Sequence, residues 1–249
     1  MHISIALEMR NFKMTRRHMA WHANLLWILT CLWLGVGGGV PFVTAQPAAG
    51  PLRVACVGDS ITQGVHVRGE DNYPSTLGKL LGERYQVRNF GFLGGSVMNV
   101  PDRPYSACPE FKEATAFNPD IVIFMLGTND SKPDQWKHKE RFKPDLLALL
   151  DRFAGLPAKP KIWLCTPPWV AKQYPAGHDE AILNGEIIPV IRAVAAEKKL
   201  PLIDMHALFE GKPELFADGV HPNADGCAVL AKAAHQALSN SHNHNNPPK

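Results

Sequence analysis

Two rhythms of apolar residues interleave along positions 53–238. Short strand-like segments at 53–57, 86–89, 120–126, 161–166 and 202–204 are the strand candidates. Between them, apolar residues recur every three or four positions, as helices require. The first such set is Leu77, Leu80 and Leu81, behind Pro74, which fits a first helical turn. Phe142, Leu146, Leu149 and Phe153 form a second; Ile187, Ile191 and Val194 form a third. In the last, Cys227, Leu230, Ala231, Ala234 and Leu238 share one face and Asn223 is placed to cap the helix start. Strands alternating with helices imply right-handed crossovers, a parallel sheet and an α/β domain over 52–238 with helices on both faces. In such sheets the reactive groups collect where the strands end. Each of Gly58-Asp-Ser60, Asn89-Phe-Gly91, Gly127-Thr-Asn-Asp130 and Thr166-Pro-Pro168 follows a strand, and Asp218–Asn223 arrives after the last. One rim is therefore expected to carry the chemistry.

Charge changes the picture mainly at the N-terminus. The 249 residues carry a formal +3, and residues 1–45 account for it with Arg10, Lys13, Arg16 and Arg17 against Glu8. The remainder holds 22 of the 26 basic and 22 of the 23 acidic residues, so no basic stripe argues for nucleic acid or an anionic membrane. The first 45 residues read as a signal peptide. Arg16-Arg17-His18 is a positive n-region, 25–43 is apolar but broken by glycines, and Val43-Thr-Ala45 places small residues before Gln46. An uncleaved anchor is the alternative, and Met9 or Met14 are alternative starts. A secreted or periplasmic protein without stable membrane association is expected, with a linker at 46–51 and a disordered polar tail at 239–249.

Export would leave Cys56, Cys108, Cys165 and Cys227. Cys56 and Cys165 sit in apolar runs as small buried hydrophobes, and only Cys108 and Cys227 come into question as a bridge. No cysteine or histidine spacing suggests a structural metal, and no cofactor motif is present. His66, His178 and His206 read as loop or surface residues. His242 and His244 lie in the tail, where weak adventitious metal binding is the most to expect.

The candidate chemistry is acyl transfer. Ser60, after an apolar run and a tight turn, supplies a hydroxyl; it reads equally as an N-cap serine when taken alone. His221 supplies a general base, and Asp218, three positions earlier, can bind the second imidazole nitrogen and fix the tautomer. Each has a plain turn-residue reading by itself. Nucleophile, base and orienting group together are what a serine esterase needs.

Gly58-Asp-Ser-Ile-Thr62, the glycine of Asn89-Phe-Gly91, Gly127-Thr-Asn-Asp130 and Asp218-Gly-Val-His221 resemble, in order, the four sequence blocks of the SGNH (GDSL) hydrolases. The resemblance implies a flavodoxin-like three-layer sandwich on five parallel strands, with Ser60, Asp218 and His221 as the triad. It also implies an oxyanion hole from the N–H groups of Ser60 and Gly91 and the side-chain amide of Asn129, with Asp59 and Asp130 in support. The block after Asn89 departs from the family pattern by carrying Ser96 where threonine is usual.

Segments 116–130 and 216–226 are similar to the small secreted bacterial carbohydrate O-acetylesterases, the sialate O-acetylesterase-like group. That likeness implies acetyl esters of glycans as substrates. The absence of a long apolar lid agrees with a small acyl group. Tyr105, Trp136, Trp169 and Tyr174 fall in loops of the presumed rim, where aromatic rings either stack on sugars or anchor loops. A lipolytic esterase or lysophospholipase of the same fold is the second reading, and a catalytically silent glycan-binding module the third.

Overall fold

The computed structural model describes residues 50–100, 103–170 and 177–243. The expected signal peptide, linker residues 46–49, Tyr174 and residues 244–249 lie outside them. Five parallel strands, β1 (Leu52–Gly58), β2 (Tyr85–Gly91), β3 (Ile121–Met125), β4 (Lys161–Cys165) and β5 (Leu202–Ile203), form one sheet in the order β2-β1-β3-β4-β5. Six helices concern the argument: α1 (Ser60–Gln63), α2 (Tyr73–Leu81), α3 (Pro109–Ala116), α4 (Phe142–Ala154), α5 (Ile188–Glu197) and α6 (Ala224–Asn243).

The central strands β1, β3 and β4 are apolar on both sides because helices cover both faces of the sheet, whereas the edge strand β2 exposes Gln86, Arg88 and Asn89. Val54, Cys56, Ile121, Ile123, Met125, Trp163 and Cys165 point into one core with Tyr73 and Leu77 of α2 and the apolar stripe of α6. Ala55, Val57, Val122, Phe124, Ile162 and Leu164 point into the other, against α3, α4 and α5. Successive residues thus alternate between two cores, as the period of two dictates.

Local chemistry sets the helix ends. Asn72 Oδ1 accepts from Ser75 N–H at 3.0 Å to start α2, and Asn223 Oδ1 accepts from Gly226 N–H at 3.0 Å to start α6. Pro189, near the start of α5, has no N–H to donate, and the helix is preceded by a wider π-turn at Leu183–Ile187. Strand β5 stops at Ile203 because Asp204 caps the short helix Met205–Phe209.

Two expectations need correction, and the open question of a disulfide is answered. Helix α6 runs to Asn243, so residues 239–243 are helical and do not begin a disordered tail. Leu80 is 42% exposed, since only Leu77 of its trio lies squarely on the buried face. Cys108 and Cys227 occupy opposite cores with the sheet between them, and all four described cysteines are free thiols. Among the described residues no helix is long and apolar enough to cross a membrane.

Phe153 of α4 is fully buried and meets Phe111 and Phe124 edge-on at centroid distances of 5.8 and 6.3 Å. Phe153→Ala is expected to cost about 3–5 kcal/mol in urea unfolding. The exposed Leu80→Ala should cost less than about 0.5 kcal/mol; equal losses would contradict this placement of the core.

Candidate active site

Strands β2, β1 and β3 are neighbours, and Gly58 pairs with Gly91 on one side and Met125 on the other. The three loops that follow therefore start from one line across the sheet. On the first, Asp59 caps α1 by accepting from Ile61 N–H at 2.9 Å, which leaves Ser60 at the helix start. The turn before α6 brings the remaining partners. Gly219, at φ +91°, reverses the chain in a conformation that disfavours other residues, and Asp218 Oδ1 accepts from the N–H groups of Val220 (3.0 Å) and His221 (2.8 Å).

These turns meet across 161 residues of sequence. Ser60 Oγ lies 2.8 Å from His221 Nε2, and His221 Nδ1 lies 2.7 Å from Asp218 Oδ2. Burial alone would raise the Asp218 carboxyl. The hydrogen bonds from the backbone and ring of His221 and from Val220 outweigh it and hold the group down at about 2. An ionised carboxylate only accepts, so Nδ1 carries the imidazole proton and Nε2 presents its lone pair to the Ser60 hydroxyl. The relay can thus take the serine proton at the moment of attack.

The other predicted residues fall as follows. Asn129, after β3, is buried; its Nδ2 donates to Gly95 O at 3.1 Å, leaving the second amide N–H for a ligand. The Gly91 N–H is not available in the same way, because it donates to Asn89 Oδ1 at 2.9 Å. Gly91 is instead a packing glycine: a Cβ there would lie 2.1 Å from Gln63 N in α1. The donor that this loop leaves open is the Gly94 N–H. It is central in the turn closed by Gly95 N–H to Phe92 O at 2.8 Å and makes no hydrogen bond among the described residues. The Ser60 N–H is likewise open.

Asp130 accepts from Val97 and Met98 N–H, both at 2.9 Å, and so ties the loop after β2 to the loop after β3. Of the expected rim aromatics, Tyr105 is 0% exposed, donating its hydroxyl to Phe90 O at 2.6 Å, and Trp136 is packed edge-on against Phe142. Both are core residues. Trp169 is half-buried against Phe216 and lines a cavity of about 790 Å³ with Val170, His178 and Glu180. Neither this cavity nor a smaller cleft of about 300 Å³ near Val97, Phe111 and Leu149 is lined by a triad residue; the larger one borders the site through His178, which contacts Asn129.

Of the three histidines expected in loops or at the surface, His66 is an exposed turn residue, His178 lies in a loop but is buried, and His206 is buried in a short helix. His178 is buried, with Nε2 3.3 Å from Asn129 Oδ1. Burial, with the Lys132 and His221 charges, brings it down to about 4 against the pull of Asp218. It is therefore neutral near pH 7, and its Nε2–H donates to the amide oxygen, which turns the Asn129 NH₂ toward the open side. His206 is buried and pairs with Glu180 at 2.6 Å; Glu180 also accepts from Val170 N–H at 2.8 Å, fixing the loop beside the cavity. His66 is half exposed, but its Nε2 reaches Asp218 Oδ2 at 3.0 Å. Asn89 was visible only as part of a motif, yet its Nδ2 also holds Thr62 O at 2.8 Å. Nothing in sequence spacing brings residues 66, 178 and 206 to these partners; only long-range folding does.

Burial pushes Asp59 up to about 7 despite hydrogen bonds from Ile61 and Thr128, and lifts Asp130 to about 6 despite those from Met98 and Val97. Unfolded carboxyls titrate near ~3.9. As pH rises from about 4 to 7, the unfolded chain releases protons that the folded chain keeps, so both groups lower stability across that window. Asp218 acts oppositely, and its contribution is lost as pH falls through about 4 to 2. Asp59→Asn keeps an acceptor for Ile61 and is expected to shrink the drop in urea midpoint between pH 4 and pH 7. An unchanged drop would mean that the Asp59 carboxyl is ionised throughout.

Comparison with known proteins agrees with this geometry. Residues 56–229 match the model of the GDSL-like Lipase/Acylhydrolase family. An acetylxylan esterase of Xylanibacter ruminicola is 36% identical over 213 residues, covering 77% of this chain and 44% of that protein. A multidomain esterase of Ruminococcus flavefaciens is 25% identical over 225 residues, covering 74% of this chain and 28% of that protein. The chain thus spans less than half the length of these curated relatives. Among solved structures, a lipase/acylhydrolase from Enterococcus faecalis shares the fold with a TM-score of 0.64 at 21% identity, covering 76% of this chain and 96% of that one. The chain belongs to the GDSL-like lipase/acylhydrolase (SGNH) family.

Proposed function

We propose that the protein is an exported esterase that removes acetyl groups from a carbohydrate, with acetylated xylan the first substrate to consider. The observation that carries this reading is the Asp218–His221–Ser60 relay at 2.7 and 2.8 Å. The substrate class is supported by the 36% identity to an acetylxylan esterase. Export is supported by the n-region, apolar stretch and Val43-Thr-Ala45 site of the sequence.

In this mechanism His221 Nε2 takes the Ser60 proton as Oγ attacks the acetyl carbonyl carbon. The carbonyl oxygen gains the negative charge and is met by the N–H groups of Ser60 and Gly94 and by Asn129 Nδ2. His221, now protonated and paired with Asp218, returns its proton to the sugar oxygen as the C–O bond breaks. Water then repeats the sequence on the acetyl-enzyme, His221 again acting as base, and releases acetate and Ser60. Trp169, half-buried in the lining of the cavity that borders the site, is the aromatic residue placed to pack on the glycan.

Purified protein is expected to release acetate from acetylated xylan and to hydrolyse p-nitrophenyl acetate well and p-nitrophenyl octanoate poorly, with Ser60→Ala inactive on all three. A preference for octanoate would replace this reading with a lipolytic one, because each added CH₂ would then be gaining burial. Asn129→Ala should fold normally and lower kcat by ~10²–10³. A folded variant with unchanged kcat removes Asn129 from the oxyanion hole.

A further inference from the structure

One residue at the site, His66, is not used by the esterase mechanism, yet it reaches the triad carboxylate. His66 Nε2 and His221 Nδ1 lie 3.0 and 2.7 Å from the same Asp218 oxygen, and the three ligand atoms are all within 4.8 Å of one another. Among the described residues this is the one group of histidine, cysteine and acidic side chains close enough to hold a metal. We propose that His66, Asp218 and His221 form a zinc-type transition-metal site whose occupancy switches the triad off; the switching rests on the catalytic roles proposed above.

Two imidazoles and a carboxylate are a donor set that zinc accepts, with bonds of about 2.0–2.2 Å and a fourth position left open. Ligand atoms around a tetrahedral ion at those lengths stand roughly 3.3 Å apart, so the 3.0 Å contact needs to lengthen by about 0.3 Å and the 2.7 Å contact by about 0.6 Å, with the two imidazole nitrogens settling to the same spacing. The His66 side chain is 49% exposed, which gives an ion a path in and leaves a position for water. His66 also holds a left-handed backbone, φ +70°, that a residue with a Cβ seldom adopts, and its ring centroid lies 5.2 Å from that of His221. The loop is thus set in an uncommon conformation that brings a second imidazole onto the triad carboxylate.

Catalysis and metal binding exclude each other through the tautomer of His221. A neutral imidazole has one N–H. In the relay that proton sits on Nδ1, and Nε2 accepts from Ser60. An ion on Nδ1 takes the lone pair there and moves the proton to Nε2, which becomes a donor facing Ser60 Oγ and no longer a base. To bind through Nε2, His66 must likewise present a lone pair there and keep a single N–H on Nδ1. Magnesium and calcium, which require oxygen ligands, should not compete.

The test is titration calorimetry with zinc chloride on the full chain, beside p-nitrophenyl acetate hydrolysis. About one equivalent of zinc is expected at this site, with the rate falling at least tenfold, restored by EDTA and unaffected by magnesium. His66→Ala should weaken binding and inhibition at least tenfold, inhibition being scored against the variant's own metal-free rate. His66→Asn, whose side chain tolerates a positive φ, guards against a folding defect and should behave alike. H242A/H244A should leave both responses intact. Zinc binding that ignores both His66 variants, or that disappears in H242A/H244A, overturns the site and leaves an adventitious ion only. Binding through His66 without inhibition overturns the switch. If the protein binds zinc through His66 but has no esterase activity, the site stands and the triad reading fails.

Discussion

The whole site depends on β1 being flanked by β2 and β3 in parallel register. Gly58, Gly91 and Met125 end their strands side by side, so three loops widely separated in sequence leave the sheet within a few ångströms of one another. This is the point in a doubly wound sheet where the chain changes direction of travel, and where a crevice opens for that reason. The loops are then joined by polar side chains in place of apolar packing. Asn89 holds the α1 backbone, Asp130 holds Val97 and Met98, and Asn129 holds Gly95. Each bond satisfies a backbone group that would otherwise be buried without a partner. The side of the site proposed to meet the oxyanion is therefore made rigid by groups that take no part in the proposed proton transfer.

That arrangement places carboxyls of very different character close together. Asp218 is only partly enclosed and accepts from several donors, so it stays ionised. Asp59 and Asp130 are fully enclosed and resist ionisation even with hydrogen bonds. Burial decides for two of them and hydrogen bonding for the third. One fixed negative charge behind His221 suits an imidazolium intermediate. Two further permanent charges beside a developing oxyanion would oppose it, and their raised values lessen that opposition near neutral pH.

Much of this was legible in the chain. The strand runs and the stripe on α6 are periodic because each residue must choose one of two cores, and that choice is written locally. Ser60, Asp218 and His221 were readable because each sits in a short motif whose turn geometry demands those neighbours. Gly91 shows where such reading ends. A glycine after a strand serves equally as an open donor or as a place for another backbone to approach, and only the Gln63 contact separates the two. Tyr105 and Trp136 look like rim residues by position, but the Phe90 carbonyl and the Phe142 ring draw them into the core. His66 and His178 lie in segments without any periodic pattern. Their partners are 152 and 49 positions away, and no local signal encodes such distances.

The two halves of the relay are held by different forces. Ser60 and the proposed oxyanion donors are fixed by hydrogen bonds among neighbouring loops. Asp218 and His221 are positioned by the helix that follows them, since α6 packs Cys227, Leu230, Ala231, Ala234 and Leu238 onto the sheet and α2. Asn223, which caps α6, also donates to Glu214 O and so closes the loop that carries the pair. The 2.8 Å contact between Ser60 and His221 is thus the meeting of a polar-fixed turn with a hydrophobically docked one. A small sliding of α6 on its core would lengthen that contact while leaving the oxyanion donors where they are. Remote apolar residues of α6 therefore belong to the chemistry through distance alone: proton transfer is far more sensitive to a few tenths of an ångström than packing is.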